Sequence, residues 1–203
     1  MDTLEIEVKF LIAEPKTIRT AILALGGESL GRHFEHNTRY DDDQGTLLQN
    51  RHLLRLRKAR QTVLTYKLPP DVAGLDEFKV YREMEVVVND FDAMDGIIKT
   101  LGFAPHQIYE KWREAFNLAD AQIVMDTLPF GEFIEIEGTP EAVRRIAGQL
   151  GLNWRDRVLR TYLEIFRLLQ QDQSLAFNDL TFTNFEKQPV DIWQYADQLR
   201  ASS

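Results

Sequence analysis

Apolar and polar residues alternate without a break at the start of the chain, Leu4, Ile6, Val8 and Phe10 against Glu5, Glu7 and Lys9. A period of two predicts a strand with one apolar and one polar face. A helix follows: Pro15 suits its first turn, Ile18, Ile22 and Leu25 form its apolar stripe, and Gly26-Gly27 stop it. Residues 36–41 read as a second strand, with a turn around 42–45. Leu54–Arg57 and Val63–Lys67 read as a hairpin. Pro69, Pro70 and Gly74 make a loop, after which 78–88 return as a strand. Asp90 can cap a helix bearing Phe91, Met94, Ile98 and Leu101. Residues 108–117 and 121–128 read as strands, and Pro129-Phe130-Gly131 turns into Phe133–Glu137. Thr139-Pro140-Glu141 starts a helix with Val143, Ile146 and Leu150 inward. Residues 162–169 continue as a strand end or a helix. Residues 171–190 show no clear period, and 191–199 read as a short helix with Trp193, Ala196 and Leu199 on one side.

One unit recurs three times: a strand with alternating carboxylates, a helix ending in Leu-Gly, and a strand with basic residues. It runs from Glu5 and Glu7 through Leu25-Gly26 to Arg39, then from Glu83 and Glu85 through Leu101-Gly102 to Lys111 and Arg113. The third runs from Glu135 and Glu137 through Leu150-Gly151 to Arg157 and Arg160, where the basic part is least regular. Residues two apart in a strand share a face, about 6.5–7 Å apart. Acids at 5, 7, 83, 85, 135 and 137 and bases at 39, 55, 57, 67, 111 and 113 therefore occupy one face of their strands, segregated by sign. Trp112 and Tyr40 fall on the opposite face and read as core. The four His residues have no ligand spacing and read as surface or loop positions.

With 203 residues, 44% hydrophobic and 28% charged, the chain has the composition of a globular protein. No apolar run approaches a membrane span. The acidic start enters a strand at once, unlike a signal peptide. The absence of cysteine excludes disulfides, thiolate nucleophiles and Cys-ligated zinc, and a cytoplasmic enzyme is the simplest expectation. A net charge of −8 argues against non-specific nucleic-acid binding and makes any local group of bases more informative.

Many strands and few helices favour a closed antiparallel barrel. If helices cover the apolar face from outside, the charged face lines the interior. Dry burial of those charges would cost several kcal/mol per ion, so the interior must be wet or hold ions. Carboxylates without His or Cys suit hard cations such as Mg²⁺ or Mn²⁺. Clustered Arg and Lys suit phosphate oxygens.

Glu5-x-Glu7-x-Lys9 resembles the ExExK signature of the CYTH, or triphosphate tunnel metalloenzyme, superfamily. The resemblance continues in order through Asn37–Asp41, Leu54–Arg57, Thr65–Lys67, Arg82–Glu85, Lys111–Arg113, Met125–Thr127 and Gly131–Gly138, spanning about residues 3–166. It implies an α+β fold, an eight-stranded antiparallel tunnel with helices outside. The tunnel domain would occupy residues 1–170, with 171–203 a C-terminal extension that docks a helix on the barrel, closes one tunnel end or mediates a homodimer.

The resemblance further implies that Glu5, Glu7, Glu135 and Glu137 bind Mg²⁺ or Mn²⁺ with Asp126 as helper. Lys9, Arg39, Arg55, Arg57, Lys67, Lys111 and Arg113 would grip a triphosphate. Lys9, Glu83 and Glu85 would serve the chemistry, with Glu83 and Glu85 on the wall. The expected activity is metal-dependent triphosphate hydrolysis. A class IV adenylyl cyclase making cyclic AMP and pyrophosphate, or a non-catalytic polyphosphate- or RNA-binding module, are the alternatives.

Overall fold

The computed structural model describes residues 2–70 and 74–201, without the side chains of residues 2 and 3. The middle of the loop expected between Pro70 and Gly74 lies outside the described residues. Eight strands close into a ring: β1 (Asp2–Leu11), β2 (Glu28–Asp41), β3 (Leu53–Lys58), β4 (Thr62–Leu68), β5 (Lys79–Val88), β6 (Ala104–Leu118), β7 (Ala121–Leu128) and β8 (Gly131–Gly138). Their order around the ring is β5-β4-β3-β2-β6-β7-β8-β1, every pair is antiparallel, and β1 closes on β5 through pairs such as Glu7 with Lys79. A short strand β9 (Arg157–Val158) adds beside the end of β1. β2 and β6 are longer than their alternation alone suggests. They pair with each other across two register shifts, which maintain the ladder where the pattern lapses.

The helices lie outside the ring, as the apolar faces require. α1 (Pro15–Ala24) and α4 (Pro140–Gln149) bury Ile22, Val143 and Ile146 against Val8, Phe10, Ile134 and Ile136. α3 (Phe91–Thr100) buries Ile98 against Tyr40 and Leu56. Tyr40 is core as expected, its hydroxyl donating to Asp95 at 2.7 Å. The Leu-Gly helix ends share a physical cause: Gly26 and Gly102 take φ of +90° and +95°, a left-handed turn that side chains resist.

At one end of the tunnel the inward positions change from charged to apolar, with Leu11, Tyr109 and Phe133. α5 (Tyr162–Gln173) caps this end. Thr161 and Glu164 form a capping box at its start, and it buries Tyr162, Ile165, Phe166 and Leu169. The single-turn α2 (Thr46–Gln49) flanks the same end. The tail continues onto this core through α6 (Phe182–Lys187), a 3-10 turn at Ile192–Tyr195 and α7 (Ala196–Leu199). Leu180 exchanges backbone hydrogen bonds with β6. In the last segment, Ile192, Tyr195 and Leu199 are buried and Trp193 is 47% exposed. Of the face expected from 193, 196 and 199, Leu199 is buried but Trp193 is not, because a 3-10 turn repeats every three residues and turns 192 and 195 inward. Trp112 is not core either. It is 37% exposed, edge-on to Phe34, with the Arg32 guanidinium 4.7 Å from its ring centre.

Candidate active site

A cavity of about 440 Å³ runs inside the ring. Every acid and base expected on the polar strand face lines it except Asp126, which lies behind the wall. The sign segregation read from the sequence does not survive ring closure, because opposite charges meet across strands.

The acidic side comprises Glu5, Glu7, Glu83 and Glu137. Lys67 reaches both Glu5 and Glu83, the latter at 3.0 Å. Glu7 receives Lys79 and lies 3.7 Å from Lys9, which sits 3.0 Å from Glu135. Burial and the Glu135 charge push the Glu7 carboxyl up, but Lys79, Lys9 and Lys67 together hold it below the usual carboxylate range. Glu137 is different. Among the described residues no hydrogen bond or ion pair engages it, and burial, then the charges of Glu5 and Glu7, push its carboxyl up to about 7. Glu83 is raised as well, by burial and the nearby charges of Glu5 and Glu85.

The basic side holds Arg55, Arg57, Lys111 and Arg113. Arg55 donates to the Tyr109 hydroxyl at 3.1 Å, to Thr65 at 3.0 Å and to Glu85 at 3.3 Å. Glu85 also accepts from Thr65 at 2.6 Å. Asp126, expected as a helper to the metal, has both oxygens engaged. Lys111 donates to it at 2.9 Å, Arg113 forks onto it, and the Tyr162 hydroxyl adds a fourth donor at 3.0 Å. Arg113 continues to Glu135 at 2.7 Å. Arg39 lines the cavity with no such partner among the described residues.

Several members escaped the sequence reading. Lys79 opens the strand expected over 78–88 on the parity of Glu83 and Glu85, which was the available signal, and only the β1–β5 pairing brings it to Glu7. Glu35 is 2% exposed, 3.7 Å from both Arg57 and Lys111, with His33 at 3.3 Å. Lys111, Arg113, His33 and Arg57 hold its carboxyl well below the usual range against the effect of burial. Its inward parity with Asn37 and Arg39 on β2 was the available signal. It also gives His33 a partner where a surface role was expected. Tyr162, whose ring centre is 4.6 Å from the Lys9 ammonium, and Arg167 come from α5, where no regular sheet pattern exists. Arg157, by contrast, donates to the Glu77 and Trp154 carbonyls outside the cavity.

The acidic donor set suits a hard divalent cation: oxygens only, an excess of negative charge, and a partnerless Glu137 that a cation would relieve. Among the described residues no three carboxylates are already gathered around one point, because Lys67 and Lys79 draw Glu5 and Glu7 aside. Binding a cation there requires those side chains to turn off their lysines.

The CYTH domain model matches residues 3–150. A Methanocaldococcus jannaschii protein named "putative adenylate cyclase" is 25% identical over 169 residues, covering 82% of this chain and 89% of that one. Among solved structures, a Vibrio parahaemolyticus protein, also named a putative adenylate cyclase, has a TM-score of 0.71 at 22% identity. It covers 82% of this chain and 99% of its own. The Pyrococcus horikoshii protein PH1819 has a TM-score of 0.69 at 25% identity, covering 81% and 98%. A Hippeastrum protein named "putative adenylyl cyclase" and described as having a dominant triphosphatase activity has a TM-score of 0.57 at 18% identity, covering 83% and 96%.

Proposed function

The chain belongs to the CYTH domain family, and from that premise we propose that it hydrolyses a triphosphate, inorganic or organic, inside the tunnel with Mg²⁺ or Mn²⁺. The observation that carries this reading is the meeting, in one cavity, of a base group with an acid group holding the partnerless Glu137. Binding alone needs only the bases.

In this reading Lys9, Arg55, Arg57, Lys111 and Arg113 grip the phosphate oxygens and neutralise charge that develops on the leaving group. Arg39 lies beyond them, at the α5 end of the same cavity. Glu5, Glu7, Glu135 and Glu137 hold the cation, which when bound polarises the phosphoryl oxygens and stabilises their charge. Glu83, whose proton affinity is raised, accepts the proton of the attacking water, and Glu85 keeps Arg55 aimed through their contact. Water adds to phosphorus as the bridging P–O bond breaks, releasing orthophosphate and, from tripolyphosphate, pyrophosphate. Once Glu5 and Glu83 turn away, Lys67 is free to join the phosphate ligands.

The names of the relatives support a second reading, cyclisation of ATP. The deciding experiment incubates the protein with Mg²⁺ or Mn²⁺ and, side by side, tripolyphosphate, thiamine triphosphate and ATP, and identifies the products. Orthophosphate release that stops on chelation is the expected outcome. Cyclic AMP with pyrophosphate would establish the cyclase instead, and no turnover of any of the three would leave a binding module.

A further inference from the structure

The cations lining the tunnel are not equivalent. Lys9, Lys67, Lys79 and Arg113 each meet a carboxylate within salt-bridge distance, and so do Arg55, Arg57 and Lys111. Three others, Arg39, Arg51 and Arg167, line the same cavity with no ion pair or side-chain hydrogen bond among the described residues. They come from three different elements: Arg39 from β2, Arg51 from the turn after α2, and Arg167 from α5.

Arg39 is 4% exposed and its Nε is buried without a partner, an expensive arrangement for a guanidinium. Burial, then the charge of Arg167, lowers its affinity for its own proton. Asp41, whose charge acts on Arg39, and Glu164, which lines the cavity, both spend their oxygens on backbone N–H groups. Asp41 accepts from the backbone N–H groups of Asp42, Leu47 and Leu48, and Glu164 accepts from the N–H of Thr161 in the capping box. Two arginines that repel one another across a cavity, one of them buried, form a site for an anion that the chain does not itself supply.

We propose that Arg39, Arg51 and Arg167 form a separate phosphate subsite at the α5 end of the cavity, which takes the phosphate beyond the third of a linear phosphate chain. The inference rests on the reading of the tunnel as a phosphate-chain site and adds chain length as a specificity that α5 confers. A nucleoside moiety, which is uncharged, or a thiamine moiety, whose thiazolium ring is itself cationic, would leave these guanidiniums uncompensated, whereas a further phosphate accepts Arg forks from several sides.

The test is equilibrium binding by titration calorimetry with chelator present, so that turnover does not intervene. Tripolyphosphate and linear tetrapolyphosphate are the probes. The wild-type protein should bind tetrapolyphosphate at least about tenfold more tightly. In Arg167→Gln the ratio of the two dissociation constants should fall at least about fivefold, and Arg167→Lys should recover part of it. Arg155→Gln, which removes the same charge from an exposed position that does not line the cavity, should keep the wild-type ratio. Arg39→Gln serves as a second removal from within the wall, with its circular dichroism compared to wild type. A ratio near one in the wild type, or the same ratio in wild type, Arg167→Gln and Arg39→Gln, overturns the subsite. An equal loss in Arg155→Gln also overturns it, since the effect would then be net charge. If neither phosphate binds at all, the triphosphate reading falls with it; a failed ratio beside metal-dependent hydrolysis sinks the subsite alone.

Discussion

The acidic and basic sides of the tunnel are built alike, and they differ in where their counter-charges sit. Each is a group of like charges with opposite charges set into it. On the basic side Glu85 and Glu135 line the cavity, but behind them stand Glu35 and Asp126, 2% and 0% exposed, neither of which lines it. On the acidic side the opposite charges are Lys67 and Lys79, which do line it. A counter-charge locked behind the wall stays when ligand arrives, so Arg57, Lys111 and Arg113 are held in place for an anion. A counter-charge on the wall can be exchanged, so Glu5 and Glu7 can leave their lysines for a cation and free those lysines for phosphate. The basic side is preorganised and the acidic side is exchangeable.

The largest way to break this comparison is Asp126→Asn. It replaces the buried carboxylate shared by Lys111 and Arg113 with a neutral amide, leaving them only Glu35 and Glu135. Removing one member of a buried charge pair costs about 3–5 kcal/mol, so urea unfolding should show a loss of that order. A loss below about 1 kcal/mol would mean that Asp126 is not a fixed counter-charge. Glu7→Gln comes next. It removes a displaceable acid, so the fold should persist while the rate of phosphate release with Mg²⁺ falls by about 10²–10³, the scale of losing one group that stabilises developing charge. Full activity would place the cation elsewhere.

The smallest effect is on pH dependence. Glu35 has a carboxyl held well below 4.5 in the folded chain, chiefly by Lys111 and Arg113 acting against burial. A depressed carboxyl contributes stability that is complete above the unfolded value and is lost as pH falls through the folded one. Thermal unfolding of Glu35→Gln should therefore show about 2 kcal/mol less stability at neutral pH and a shallower acid limb below about pH 4.5. Parallel acid limbs in the variant and the wild type would assign the acid sensitivity to other carboxylates.

Legibility in the sequence followed periodicity closely. Glu5, Glu7, Glu135, Glu137, Arg55 and Arg57 stand in clean alternation, and all of them line the cavity. Glu35 sits in His33-Phe34-Glu35-His36, where a strand face is harder to see among mixed polar residues. Lys79 shares the parity of Glu83 and Glu85, but its partner Glu7 lies on another strand. Arg167 lies in a helix that competed with a strand end in the reading of residues 162–169, and the resemblance fades near there. Periodicity reports a neighbour on the same element and is silent about contacts made across elements.

By itself, then, the sequence determined which side of each strand is charged, where the helices start and stop, and that those helices must cover an apolar outer face. These are local matters of two-residue and 3.6-residue periods, caps and glycine turns. Only the tertiary structure decided which opposite charges meet and which stay alone. Ring closure brings Lys79 to Glu7, leaves Glu137 without a partner, and sets Arg39 against Arg167 from α5. Partnership between charges depends on distance and burial in the closed ring, and neither is encoded in the spacing of residues along one strand.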